Sequence, residues 1–397
     1  MAKVLYISYD GVLEPLGQSQ VLNYLKILSS EHDIYLLTFE KRADLISNNY
    51  QLVFDKCKEH GIEWVHLDYH KSLLGTYVDI IKGLLISTYI CFKKKVNIIH
   101  SRSYLPSLIA YLLKKTIHTK FIFDMRGLWA DEKVDSGVWD KTGFLYKIVK
   151  SLEKVFLLNA DKTISLTESG KKEILSFDYL RNKDINLSVI RTCTDLDLFK
   201  TNVLSEKKDE FFKNKFVLGY VGSVSLWYDF PKAILFFKYL LEIKENSVFY
   251  IINKGEHAEI KEMLNNHSLS EDSYIIESKT HSNVPLAMQR MDAGIFFLEP
   301  YYSKVASAPT KLGEFLAMGL PCVTNKNIGD VDLILEGTQG GLVLNNFDTK
   351  TLEDSVKKLI KLTENEHIAD SCRKIAKTYF SLKEGTTIYS KLYKDLC

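Results

Sequence analysis

Short apolar runs alternate along the whole chain with stretches in which apolar positions recur every three or four residues. KVLYISY, IYLLTF, EWVHL, VNIIHSR, KFIFDM, KTISL and NLSVI read as strands. Helices are predicted between them through SQVLNYLKILSS, over 43–60, 72–95 and 104–115, in a long stretch ending near 159, and over 168–176. Strand-helix-strand order of this kind predicts a parallel sheet covered on both faces. Residues 195–214 are polar, lack a period and read as a linker. A second series opens at FVLGYVGS and continues through SVFYIIN, SYIIES, AGIFFLE, PCVTN and GGLVL. Its helices fall over 231–245, 256–265, 284–291, in the short segment SAPTKLGEFLAMGLP, and over 349–379. The expectation is an α/β protein of two doubly wound, Rossmann-like domains, 1–198 and 199–375, with a last helix over 376–397 crossing back to the first. Ligands of such sheets bind beyond the carboxyl ends of the strands, so two of them facing one another make a central cleft.

The length of 397 residues fits two cores. With 52 basic and 50 acidic residues and a net charge of +2, the chain has no global attraction for nucleic acid, and none is expected as a partner. Six scattered cysteines form no CxxC pair and no zinc spacing, which fits a reducing cytoplasm and a site without metal. The opening MAKVLYISYD reads as a strand, so no signal peptide is expected. The most apolar long run, SLLGTYVDIIKGLLISTYICF, is interrupted by Asp79, Lys82 and Gly83. It reads as a packed helix, a membrane-surface helix or a spanning segment, and the following Lys93-Lys94-Lys95 speaks for an anionic lipid surface as well as for a solvated helix end.

Three stretches carry candidate chemistry. In SAPTKLGEFLAMGLP, residues 307–321, Pro309 fixes the start of a helix, Thr310 is its expected cap, and Gly319 and Pro321 end it. Lys311 then stands in the first turn, where a helix already favours anions, and Glu314 shares its face one turn deeper. Such a pair suits a nucleoside diphosphate, with phosphate on the lysine and the ribose diol on the glutamate; an exposed Lys–Glu helix pair is the plainer alternative. In LGYVGSVSLWYD, Gly222 and Ser223 follow a strand, where glycine lets backbone amides approach phosphate oxygens, and Lys254 follows the next strand. The pattern is neither GxGxxG nor a Walker motif. In the first domain, residues 9–19 read as a long loop with Gly17 and Gln18 toward the cleft, or as an ordinary connection capped by Ser19. His100, Arg102, Asp124, Arg126, Asp131 and Glu132 collect at strand ends; a satisfied core histidine is the alternative for His100, and Arg126 beside Gly127 is the better functional candidate.

Together YDGVLEPLGQSQ, DMRGLWADEKVDSGVW, VIRTCTDLDLF, GYVGS and SAPTKLGEFLAMGLPCV resemble the family-4 glycosyltransferases of the GT-B fold, retaining bacterial enzymes that move a sugar from a nucleotide-sugar to an acceptor. The resemblance spans essentially the whole chain. It implies that Glu314 contacts the donor ribose, that Gly222, Ser223, Lys254, Ser307, Thr310 and Lys311 line the diphosphate, and that the Gly17–Gln18 segment, Arg126 and His100 serve donor phosphate, acceptor and catalysis. Where the family often shows Glu-x7-Glu, this chain has Ala306 before Glu314, and its Ser-x-Pro-Thr-Lys form brings a lysine into the phosphate site. Cationic and backbone groups for the leaving diphosphate, with no clustered carboxylates, predict a metal-independent transfer without cofactor, with closure of the domains to exclude water. The basic segments at Lys93–Lys95 and Lys114–Lys115, beside an apolar helix, predict a glycan or lipid-linked acceptor of surface polysaccharide biosynthesis and a peripheral place on the inner face of the plasma membrane. A non-catalytic binding subunit and a nucleotide-sugar epimerase or hydrolase are the competing readings.

Overall fold

The computed structural model describes residues 1–47, 49–200 and 210–397. The chain divides into two compact units. The first comprises Met1–Arg191, Tyr302–Ser307 and Leu382–Cys397, and the second Thr192–Tyr301 and Ala308–Ser381.

In the first unit, strands β1 (Lys3–Ser8), β2 (Asp33–Glu40), β3 (Glu63–Asp68), β4 (Ile98–Arg102), β5 (Lys120–Asp124), β6 (Lys162–Ser165) and β7 (Leu187–Val189) form one parallel sheet in the order 3-2-1-4-5-6-7. The strands β1, β4 and β5 are buried nearly throughout; in β1 and β5 this shows in the sequence as an apolar run, while in β4 the burial extends over His100, Ser101 and Arg102. Register pairs Ser8 with Arg102 and Arg102 with Asp124, so the polar strand ends meet where the strand order reverses between β1 and β4. In the second unit, β8 (Phe216–Val221), β9 (Ser247–Ile252), β10 (Tyr274–Glu277), β11 (Ala293–Ile295), β12 (Cys322–Asn325) and β13 (Gly341–Leu344) form a second parallel sheet in the order 10-9-8-11-12-13. Each strand read from the sequence is present.

Several boundaries differ from the sequence reading. Residues 195–200 do not link the units: the Asp195 carboxylate accepts from the backbone N–H groups of Asp197 and Leu198, and Phe199 is buried in the core of the second unit. Residues 201–209 of that stretch lie outside the described residues. The first division therefore falls at Arg191–Thr192 rather than at 198, and the last helix begins at Leu382, because residues 376–381 close helix Ile368–Tyr379 and a bridge from Ser381 to Thr194 within the second unit. The long stretch ending near 159 is two helices, Trp129–Asp135 and Phe144–Asn159. Residues 15–28 are helical from Pro15 onward, which occupies the first helical position, so Gly17 and Gln18 lie inside a helical segment and not in a loop. Ser19 is not its cap; its hydroxyl donates back to the Leu16 carbonyl.

Arg373 ties the second unit together. Its guanidinium donates to the carbonyls of Leu196, Phe199 and Ala317, joining the 196–199 segment to the end of the helix Thr310–Ala317. Arg373→Met is expected to lower unfolding stability in urea by about 2–3 kcal/mol, since it strands carbonyl acceptors that the ionised fork had satisfied.

Candidate active site

The helix Thr310–Ala317 is fixed at both ends. Pro309 precedes it in extended conformation, and Thr310 is its first residue rather than its cap, so no side chain caps this end. At the other end Gly319 has φ +77°, its N–H reaches the Leu316 carbonyl and the Leu320 N–H reaches that of Phe315, which is a Schellman closure. Leu312, Phe315 and Leu316 bury the inner face in the core of the second unit. Lys311 goes inward with them at only 5% exposure.

A lysine ammonium is rarely so enclosed without a carboxylate in contact. The Nζ of Lys311 lies 3.5 Å from the ring centre of Tyr228 and 4.4 Å from that of Tyr220, and at 3.4 Å from both the Tyr220 hydroxyl and the Ser223 carbonyl. The rings replace part of the lost hydration. Gly222 makes this approach possible: its φ is +106°, and a Cβ there would stand 2.8 Å from the Cε of Lys311. Burial pushes Lys311 down to about 7 against the pull of Glu314, and burial pushes Glu314 up to about 7 against the pull of Lys311. The half-buried Glu314 carboxyl makes no hydrogen bond to a described residue. The structure thus joins Gly222, Ser223 and Lys311 at one point, with Glu314 one turn along the same helix. Lys254 is exposed on the loop after β9, and no contact links its side chain to this cluster. Ser307 belongs to the first unit, where its N–H closes a turn onto the Lys304 carbonyl.

Two residues that sequence reasoning missed shape the strand-end loops. After β9, the Glu256 carboxylate accepts from the Ser223 hydroxyl (2.8 Å), the Val224 N–H (3.1 Å) and the Asn253 amide (2.7 Å), clamping the Gly222–Ser223 loop. In the first unit Glu40, fully buried at the end of β2, accepts from the N–H groups of Val12 and Leu13 and from the Thr38 hydroxyl. Each unit therefore holds the loop after its first strand with a carboxylate from the neighbouring strand's end, Glu40 as the last residue of β2 and Glu256 in the loop beyond β9. The only signal in the sequence is an acid closing an apolar run, in IYLLTFE and SVFYIINKGE. Burial would raise Glu256, but hydrogen bonds from Ser225, Asn253, Ser223 and Val224 hold its carboxyl at about 2. With a folded value below the ordinary one, its stabilisation is present above about pH 4.5 and is lost as pH falls toward 2. The urea midpoint of Glu256→Gln is therefore expected to lie below that of the parent protein at pH 6 and to converge on it as the pH is lowered through that window.

The first unit carries a cavity of about 300 Å³ at the ends of β1, β4 and β5, lined among others by Tyr9, Asp10, Arg102, Arg126, Trp129 and Glu132. Arg126 is held with φ +60° in the left-handed region, a strained state for a non-glycine residue. It reaches the Gln20 side chain at 3.5 Å and Asp124 at 3.8 Å. Arg102 pairs with Asp10 at 3.4 Å, and Glu132 with Lys304 at 3.6 Å. Asp131 serves the scaffold, accepting from the Tyr146 hydroxyl and Lys150. The catalytic reading of His100 is corrected. It is buried at 1% exposure, its Nδ1 pairs with the Tyr393 hydroxyl at 2.6 Å, and its ring makes tilted contacts with Tyr6 and Tyr389 and an edge-on contact with Tyr393 beneath the helix Leu382–Leu396. Burial lowers its pKa, against Asp124. Gly17 is also explained without a ligand, since a Cβ there would meet the Gly11 carbonyl at 1.9 Å. Gln18 donates to the Leu13 carbonyl at 3.4 Å. Among the described residues no cluster of three His, Cys, Asp or Glu side chains is arranged to hold a metal ion.

Residues 204–378 match the family described as glycosyl transferases group 1, and the chain is a glycosyltransferase. Over 355 residues it is 23% identical to the capsular polysaccharide biosynthesis glycosyltransferase CapM of Staphylococcus aureus, covering 85% of this chain and 88% of that protein. Solved structures share the fold, which is that of the GT-B glycosyltransferases. Sucrose-phosphate synthase from Thermosynechococcus elongatus superposes with a TM-score of 0.74 at 13% identity over 100% of this chain and 99% of that one. HepE of Anabaena, in complex with UDP and glucose, gives 0.70 at 14% over 99% and 100%. WaaG, a glycosyltransferase involved in lipopolysaccharide biosynthesis, gives 0.65 at 14% over 97% and 99%.

Proposed function

We propose that the protein transfers a sugar, with retention and without a metal ion, from a nucleoside diphosphate sugar to a glycan or lipid-linked acceptor of surface polysaccharide biosynthesis at the cytoplasmic face of the membrane. One observation carries this reading: the Lys311 ammonium is buried at the Gly222–Ser223 loop with no carboxylate in contact, which leaves it to an incoming anion. The nucleotide complexes of HepE and the polysaccharide role of CapM support donor and pathway class.

In this mechanism the donor diphosphate displaces the aromatic surroundings as partner of Lys311 and holds it protonated. As the bond between the anomeric carbon and the phosphate oxygen breaks, Lys311 stabilises the charge growing on the leaving group. The acceptor oxygen bonds to the anomeric carbon from the same face, and its proton passes to the departing phosphate oxygen, so configuration is kept. Glu314 receives the ribose hydroxyls, and Arg126 with the cavity of the first unit takes the acceptor side.

A second reading has its own observation. Ala306, at the position of the first family glutamate, supplies no carboxylate and is buried against Gly170, where an added Cβ would stand 2.9 Å from that of Ala306. A subunit that binds nucleotide without turnover is the alternative. Incubation with UDP-, GDP-, ADP- and CMP-sugars and a pool of lipid-linked and free glycan acceptors separates the two. Acceptor-dependent release of nucleotide supports transfer, release without acceptor supports hydrolysis, conversion of the donor to an isomeric nucleotide-sugar without release supports epimerisation, and binding without turnover supports the subunit.

A further inference from the structure

The helix Leu73–Lys94 is apolar on both faces, with polar and small residues on the buried one. Its inner face carries polar and small residues among the apolar ones: Asp79, Gly83 and Ser87, four residues apart, are buried along with Ile90 and Cys91. Asp79 accepts from the Tyr9 hydroxyl at 2.8 Å and pairs with His70 at 2.6 Å. A Cβ on Gly83 would stand 2.8 Å from Ile109 and 2.9 Å from Phe39, so the backbone lies close on the layer beneath. The outer face carries Leu74, Tyr77, Ile81, Leu85, Tyr89 and Phe92, each at least 40% exposed, with Leu74 at 82%. These positions recur every three or four residues over the whole helix and form one continuous apolar stripe.

The charge pattern selects what covers it. From residue 71 to 95 the exposed ionisable side chains are Lys71, Lys82, Lys93 and Lys95, and the single acid of that stretch, Asp79, is buried. Helix Tyr104–Ile117 packs beside this helix and also beside Phe144–Asn159. The latter exposes Phe144 and Ile148 next to Lys141 and Lys147, so apolar and cationic side chains continue along the same helical layer. Length and composition alone would let Leu73–Lys94 cross a bilayer. Its topology does not, because the helix connects β3 to β4 of one sheet and is anchored midway by Asp79.

We infer that Leu73–Lys94 is a membrane-docking helix that lies in the headgroup region of an anionic bilayer, with its apolar stripe toward the acyl chains and Lys71, Lys82, Lys93 and Lys95 on anionic headgroups. The inference deepens the reading of a lipid-linked acceptor, and binding is read without donor or acceptor, so its failure and the failure of sugar transfer are separate results. A partner protein would need acidic groups to match this surface, and a helix whose single acid is buried, with Lys71, Lys82, Lys93 and Lys95 exposed along it and only Lys94 paired to an acid, Glu63, is the pattern that anionic lipid recognises.

The full-length protein is spun with vesicles of equimolar phosphatidylglycerol and phosphatidylcholine, and with vesicles of phosphatidylcholine alone. Sedimentation is expected with the anionic vesicles, falling about tenfold on neutral vesicles or at about 0.5 M salt. Two triple variants are expected to lose binding to a similar degree with unchanged urea midpoints: Lys82→Glu, Lys93→Glu, Lys95→Glu and, separately, Leu74→Ser, Leu85→Ser, Phe92→Ser. If the serine variant does not fold, the glutamate variant decides. Absence of sedimentation, equal sedimentation with both vesicle types, binding untouched by the glutamate changes, or a lipid-free dimer dissolved by the serine changes would overturn the inference; the last would make the stripe a protein interface.

Discussion

Lys311→Ala is expected to lower kcat/KM for sugar transfer by about 100- to 1000-fold, the scale on which removal of one preorganised transition-state charge partner acts. The same change is expected to leave the fold intact. In the free protein the ammonium has given up its water for two tyrosine rings and two oxygens at 3.4 Å, a long distance for charge-assisted hydrogen bonds. Replacing a buried, underpaired charge with an apolar side chain is commonly neutral or stabilising. Lys311→Met, which keeps the packing of the methylene stem against Gly222, is thus expected to unfold at the same urea concentration as the parent or a higher one, while being as inactive as the alanine variant. A lysine kept for structure would give the opposite pairing, with activity and stability falling together. Activity assays and urea denaturation on the same preparations decide between them.

The second large effect is a stability minimum near pH 7 in the donor-free protein. Lys311, lowered to about 7 from 10.5, binds fewer protons folded than unfolded between those values, so stability rises with pH above 7. Glu314, raised from 4.5 to about 7, binds more protons folded than unfolded below 7, so stability falls as pH rises toward 7. The two slopes meet at neutrality. Against the double variant Lys311→Met, Glu314→Gln, the parent is expected to gain about 2 kcal/mol or more between pH 7 and 9.5, as shown by urea titrations at each pH. A saturating nucleoside diphosphate should flatten the alkaline limb, because a bound anion returns Lys311 to its charged form, and calorimetry in buffers of different ionisation enthalpy should show proton uptake on binding at pH 8.

The strands were legible because parallel strands are buried on both faces and leave unbroken apolar runs; β1, β5 and β8 are examples in which the run and the strand coincide almost to the residue. Lys311, Gly222 and Ser223 were legible as candidates, and the fold brings them together, because a helix start and a glycine after a strand are local features with local chemistry. What escaped was decided by direction. Glu40 and Glu256 close apolar runs as any solvent-facing acid would, and only the folded chain turns them back onto the loops of the neighbouring strands. His100 sits at a strand end, where catalytic groups collect, but its side chain points into the aromatic cluster under the last helix, a contact nearly three hundred residues away in sequence. Gly17 shows the same limit, since its need for no side chain comes from Gly11 across a tight turn. The helix Leu73–Lys94 was legible in extent and not in orientation: Asp79, Lys82 and Gly83 look like interruptions of an apolar run until Asp79 and Gly83 prove to be the buried side.

The central claim is that Lys311 and Glu314 form the donor site, and thermal unfolding with a panel of UDP-, GDP-, ADP- and CMP-sugars at millimolar concentration tests it most directly. Ligand that binds only the folded state must raise the unfolding temperature by mass action. The account predicts that one nucleotide class stabilises the parent protein and that Lys311→Ala and Glu314→Ala both lose the effect. A panel with no shift, or variants that respond as the parent does, would contradict it.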